Sequence, residues 1–223
     1  MHPIYNYNLY IFDCDGVILN SNLLKIQAME KALIALSFKE AEVNLCTRYF
    51  ANNFGKSRFH HVKHFVNNLL TVAEAEKALI EQEILNDFSR QCKSLYLTAE
   101  LTPGFIELIQ SLPGEKYVAS GSEQGELREV FRARGLEQYF DGIYGSPTAK
   151  TILLENILKE KSNSNAVMVG DAVSDFEASV ANGIDFFCYL PYSNVTDTMQ
   201  SLSQEYDFTI LMHWPTLPSN NQV

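Results

Sequence analysis

Hydrophobic and polar positions follow two rhythms along this chain. Leu9, Tyr10, Ile11 and Phe12 form a continuous apolar run, the pattern of a strand buried on both faces. From Ser21 to about Leu97 the spacing turns helical. Leu23, Leu24, Gln27, Ala28, Lys31 and Ala32 recur at helical intervals. Ala75, Ala78, Leu79, Leu85, Phe88, Cys92 and Leu95 mark one side of a long amphipathic helix. Thr71-Val72-Ala73-Glu74 predicts a capping box before it. Beyond Leu97 short apolar runs alternate with helical stretches. Thr102 and Pro103 predict a helix start. Tyr117–Ala119, Gly142–Tyr144, Ala166–Gly170, Asp185–Leu190 and a weak run near Phe208–Leu211 read as strands. The stretches between them read as helices: Glu123 to Arg134, ended by Gly135, one from Ser146-Pro147 to about Lys161, and one opened by a capping box Ser174–Glu177.

Strands alternating with helices predict an α/β protein: a Rossmann-like, doubly wound parallel sheet with helices on both faces. A long helical stretch fits poorly inside such alternation. It reads as an all-helical cap, residues 21–97, inserted into a core made of residues 1–20 and 98–223. The end of the chain, from Trp214 to Val223, reads as loosely ordered.

Composition narrows the partners. A net charge of -10 argues against nucleic acid and anionic membranes. Four cysteines stand without a CxxC or zinc spacing, which suits reduced thiols in a cytoplasmic, soluble protein. No apolar run approaches a membrane span. Monomer and dimer both remain open.

Chemistry collects where the strands end. The first strand drops into Asp13 and Asp15, followed by Gly16. The second is followed by Ser120, Gly121 and Ser122 at a helix start, and the third leads to Lys150. The fourth offers Gly170, Asp171 and then Asp175. Each has an ordinary explanation alone: a turn, a helix cap, a solvated lysine. In a parallel sheet, however, ligands bind beyond the carboxyl ends of the strands. Carboxylates converging there suit Mg²⁺, while a hydroxyl, an ammonium and helix N-termini suit a phosphate. Val43 to Ala73 adds a local basic excess: Arg48, Lys56, Arg58 and Lys63, with His60, His61 and His64, and no acid. That excess suits attraction of an anionic substrate, with Lys56 and Arg58 the preferred contacts. His60 and His61 are adjacent, so on a helix they point apart and make poor metal ligands.

Phe12-Asp13-Cys14-Asp15-Gly16-Val17, Ala119-Ser120-Gly121-Ser122, Lys150, and Gly170 through Asp175 together resemble the four motifs of the haloacid dehalogenase superfamily. Gly55-Lys56-Ser57-Arg58 resembles a cap substrate loop of its beta-phosphoglucomutase and phosphoglycolate phosphatase branch. The resemblance implies Asp13 as nucleophile and Asp15 as acid and base. It implies Mg²⁺ held by Asp13, the Asp15 backbone carbonyl and Asp171, and phosphoryl oxygens gripped by Ser120 and Lys150. Asp175 would orient Lys150 or a metal-bound water. The expected activity is hydrolysis of a small phosphorylated metabolite, a sugar phosphate among the candidates, through a phospho-aspartate. A phosphosugar mutase is the alternative, although Lys25 stands where those mutases carry a cap histidine. A phospho-aspartate switch is the non-enzyme alternative. The presence of Asp15 argues against a dehalogenase.

Overall fold

The computed structural model of the chain describes residues 2–161 and 165–216. The run Leu9–Phe12 is strand β1, at the centre of a six-stranded parallel sheet. The other strands are β2 (Glu115–Glu123), β3 (Gly142–Ser146), β4 (Ala166–Gly170), β5 (Asp185–Tyr189) and β6 (Thr209–Leu211). Their order is β3-β2-β1-β4-β5-β6. Period-two geometry divides β1 between two cores. Tyr10 and Phe12 join the apolar cluster on one face; Leu9 and Ile11 join the other. Each such side chain contributes roughly 1.5–3 kcal/mol by leaving water. The one polar atom among these side chains, the Tyr10 hydroxyl, donates to the carbonyls of Ile4 and Tyr7, both at 2.9 Å.

The helical insertion follows β1. It comprises α1 (Asn22–Ala35), α2 (Glu40–Asn52), α3 (Arg58–His64) and α4 (Lys77–Thr98). Its two connections lie side by side. Leu19 bridges Leu101, and the Asn20 amide donates to the Glu100 carbonyl at 2.9 Å. The remaining helices are α5 (Phe105–Ser111), α6 (Gln124–Ala133), α7 (Lys150–Glu160), α8 (Val173–Ala181) and α9 (Thr196–Tyr206). None of the described helices is long and apolar enough to cross a membrane. All four cysteines are buried and free.

Several local expectations are corrected. No capping box forms at Thr71: Glu42 takes the Thr71 amide at 2.8 Å, and α4 begins only at Lys77. The Thr102 hydroxyl does not cap α5. It donates to the Val17 carbonyl and accepts from the Trp214 indole, and the helix starts after Gly104. Strand β2 runs on to Glu123, so Ser120–Ser122 lie in the strand, and the Glu123 carboxylate caps α6 by accepting from Gly125 and Glu126. The box at Ser174 is displaced by two positions, to Ala172–Asp175. Helix α8 starts at Val173, Asp175 supplies the capping carboxylate, and Ser174 donates to Phe54.

The inward face of α1 is Asn22, Lys25, Ala28, Met29, Ala32 and Leu33, whereas Leu23 is exposed. In α4 the buried stripe is Ile84, Phe88, Cys92 and Tyr96, and Leu79 is exposed. Trp214 is not loose. It is buried and stacks on Tyr189 with 3.8 Å between ring centroids; residues 217–223 lie outside the described part.

Candidate active site

Parallel strands deliver their C-terminal ends to one edge, and that is where the carboxylates meet. Asp13 directly follows β1, its amide bound to the Val169 carbonyl of β4 at 2.9 Å. Gly16 has φ +75°, and a Cβ there would overlap the Asp171 carboxylate and the Asn22 amide. The turn after β1 therefore needs glycine to bring the two chain segments together. Asp13, Asp171 and Asp175 each offer an oxygen within 4.8 Å of the others, all three buried.

Lys150, at the first position of α7, sits between them. Its ammonium lies 3.0 Å from Asp13 Oδ1 and bonds Asp175 Oδ1. Asp175 Oδ2 accepts the amides of Asp171 and Ala172, each at 3.1 Å. Asp175 thus both fixes the loop after β4 and orients Lys150. Burial pushes the Asp13 carboxyl up to about 7; Lys150 opposes the shift, and the charges of Asp175 and Asp15 add to it. Burial, then the charges of Asp175 and Asp13, push Asp171 up as well. For Lys150, burial works against the charged form, but Asp13 and Asp175 outweigh it and hold the ammonium protonated. Three buried carboxylates face one ammonium. Asp171 Oδ1 is buried with no hydrogen-bond partner, while Oδ2 accepts from Asn22 at 2.6 Å. Excess negative charge and an orphaned buried oxygen are what an oxygen-liganded divalent cation would satisfy, so these residues fit Mg²⁺.

Asp15 lies apart from that cluster in a cage of donors. Ser21 donates to Oδ1 at 2.6 Å, Lys25 to Oδ2 at 2.9 Å, and Ser122 to Oδ2 at 3.0 Å. Tyr96 reaches both oxygens, at 2.9 and 3.0 Å. Burial alone would raise this carboxyl, but the Lys25 charge and the bonds from Ser21, Lys25 and Tyr96 hold it below its ordinary value. Burial likewise works against the Lys25 ammonium, and Asp15 outweighs it.

Ser120 is buried, and its oxygen accepts the Ser122 amide at 3.1 Å. Gly121 lies under the insertion: a Cβ there would come within 2.6 Å of the Gly55 carbonyl. Gly55 has φ +86°, and Ser174 ties the preceding carbonyl, that of Phe54, to α8 at 3.0 Å. The loop Gly55–Ser57 therefore rests directly on the sheet edge.

Arg58 lines the chamber between insertion and sheet, but it is already engaged. Its guanidinium binds Glu126 of α6 through two bonds, 2.9 and 2.7 Å, and lies over the Phe88 ring. Lys56 also lines the chamber and donates to Asn53 at 3.1 Å. Arg48 and Lys63 face solvent. His61 is buried against Phe50, and burial lowers it to about 3, so it is neutral. The chamber enclosed by Asp13, Asp15, Lys25, Arg58, His61 and Phe54 holds about 10 Å³, close to the least that admits one water.

The sequence reading missed Lys25, Tyr96 and Ser122 as partners of Asp15, Asn22 as partner of Asp171, and Glu126 as partner of Arg58. Tyr96 had a signal: Phe88, Cys92 and Tyr96 recur every four residues. Lys25 and Asn22 had none, because polar residues on a helix ordinarily mark its wet face.

Residues 10–189 match the model of the haloacid dehalogenase-like hydrolase family. Solved structures share the fold. A predicted phosphatase from Clostridium acetobutylicum is 16% identical, with 92% of this chain and 93% of that chain covered and a TM-score of 0.70. A predicted phosphoglycolate phosphatase from Haemophilus somnus is 17% identical, over 92% and 93%, with a TM-score of 0.67. CbbY from Rhodobacter sphaeroides, in complex with xylulose-(1,5)bisphosphate, is 16% identical, over 84% and 88%, with a TM-score of 0.65. Among curated proteins, nothing matches the chain.

Proposed function

We propose that this chain, which belongs to the haloacid dehalogenase-like hydrolase family, hydrolyses phosphate monoesters of small metabolites through a covalent intermediate on Asp13. The observation that carries the reading is the separation of two carboxylates after β1. Both line the chamber beneath the insertion, but Asp13 meets Lys150 and the acidic cluster, whereas Asp15 meets the donors Ser21, Lys25, Tyr96 and Ser122.

Asp13 attacks phosphorus, and the bond from phosphorus to the ester oxygen breaks as the Asp13–phosphorus bond forms. Asp15, ionised within its cage of donors when the lid is closed, takes up a proton from water when the lid carries Lys25 away, and gives that proton to the departing alkoxide. It then takes a proton from the water that attacks the phospho-aspartate, and inorganic phosphate leaves with Asp13 restored. Two moderate barriers replace one high one. Lys150 and the Ser120 hydroxyl hold the phosphoryl oxygens, where negative charge grows in the transition state. Asp13, Asp171 and the Asp15 carbonyl would hold Mg²⁺, with Asp175 beside them; when bound, the ion offsets repulsion between an anionic nucleophile and an anionic substrate. Asp175 holds Lys150 in place rather than reacting.

We take residues 21–97 as a lid. A chamber of about 10 Å³ admits no metabolite, so the lid opens for each turnover. Gly55, Lys56 and Arg58 stand on the lid face that a leaving group would meet, and Arg58 reaches it only by sharing or leaving Glu126. The mutase reading is weakened by Lys25, which engages Asp15 from the position of the mutase histidine. A phospho-acceptor switch has no use for a second caged carboxylate.

The test is a Mg²⁺-dependent screen of phosphorylated metabolites for phosphate release, with Asp13→Asn alongside. Hydrolysis that vanishes in Asp13→Asn is expected. Wild-type rates in that variant remove Asp13 as nucleophile. Bisphosphate-dependent isomerisation without net hydrolysis makes the protein a mutase.

A further inference from the structure

Tyr96 is fully buried, one turn along α4 from Cys92 in the buried stripe, yet its hydroxyl meets polar groups. It lies 2.9 and 3.0 Å from the two oxygens of Asp15 and 2.6 Å from Ser122 Oγ. A phenol has one proton. With that proton given to Asp15, Ser122 donates either to the phenol oxygen or to Asp15 Oδ2 at 3.0 Å. Lys25 completes the ring, 3.2 Å from Ser122 Oγ. The backbone at Tyr96 is fixed as well: the Arg134 guanidinium, just past α6 on the sheet side, donates to the Tyr96 carbonyl at 2.7 Å. Tyr96 stands two residues before α4 ends at Thr98, beside the paired connections of the insertion. The bond from Arg134 ties Tyr96 to the sheet side at the root of the insertion.

We infer that Tyr96 is a positioning residue for Asp15: its hydroxyl holds the carboxylate in the orientation from which it serves the leaving group. The inference rests on the reading of Asp15 as proton donor. It predicts a defect that depends on the leaving group. An alkoxide needs a proton as it departs; a nitrophenolate does not. General acid catalysis contributes about 10²–10⁴-fold where it operates.

The experiment compares kcat for p-nitrophenyl phosphate with kcat for the best alkyl phosphate from the screen, in wild type, Tyr96→Phe, Asp15→Asn and the double variant. The alkyl-to-aryl rate ratio is expected to fall about tenfold or more in Tyr96→Phe, and further in Asp15→Asn. The double variant should match Asp15→Asn, because Tyr96 acts through Asp15. Equal losses on both substrates, no loss on either, or a double variant well below Asp15→Asn in that ratio would overturn the inference. An unchanged ratio in Asp15→Asn instead removes Asp15 as acid, and the proposed mechanism falls with it. Should Tyr96→Phe fold poorly, Ser122→Ala, which removes the hydroxyl shared by Tyr96 and Asp15, carries the same expectation.

Discussion

Lys150 shows how a single side chain carries two loads. It supplies the one ammonium within the Asp13, Asp171 and Asp175 cluster and, in the proposed mechanism, a donor to the phosphoryl group. Lys150→Met keeps the volume and removes both. Activity is expected to fall about 10²–10³-fold, the usual effect of losing one transition-state donor. Stability of the metal-free protein should also fall, because two buried carboxylates lose their counter-charge; steady-state assays and urea titrations measure the two effects. The aspartates and Lys150 were legible in the sequence because each follows an apolar strand or opens the next helix. Their partners were not. Lys25 and Asn22 lie on the buried face of α1, where periodicity expects apolar residues. Nothing along the chain indicates that Glu126, sixty-eight positions away, closes on Arg58.

The elements divide in the same way. Strands β1, β4 and β5 were legible because a strand covered on both faces is apolar throughout. Strand β2 extends past the apolar run that marks it in the sequence because its last residues, Ser120 to Glu123, carry no apolar side chain. Helix starts were shifted wherever a tertiary partner took the capping group, as Glu42 does at Thr71. Between insertion and sheet, the pair Arg58–Glu126 is one of several polar ties, joining α3 to α6, with Ser89 of α4 also donating to Glu126. Arg58→Ala leaves Glu126 without its cation in a largely buried position. We expect a loss of about 3 kcal/mol in urea unfolding. An unchanged midpoint would mean that this pair adds nothing net to the hold between insertion and sheet.

For the whole molecule, the acidic cluster links stability to pH and to metal. Asp13 titrates near 7 in the fold and near 3.8 when exposed. Between those values the folded state binds more protons than the unfolded one, so stability declines as pH rises through that window. The raised Asp171 acts in the same direction. Asp15, held below its ordinary value, acts oppositely, but only at lower pH, around and below the ordinary carboxylate range. In EDTA, the melting temperature is therefore expected to drop from pH 5 to pH 7.5. Millimolar Mg²⁺ should flatten or reverse that drop, since a ligand bound only to the native state stabilises it. A metal-independent profile in calorimetry would contradict the proposed cation site.

The neighbouring exit and return at Leu19 and Leu101 make the helical segment a natural transplant. A different segment can be spliced between those two points without disturbing strand order, which invites exchange of substrate range by swapping one module. Yet the swap carries a condition. On the proposed mechanism, whatever replaces the segment must bring a hydroxyl to Asp15 in the place of Tyr96, or the hybrid will favour esters whose alcohol departs unaided.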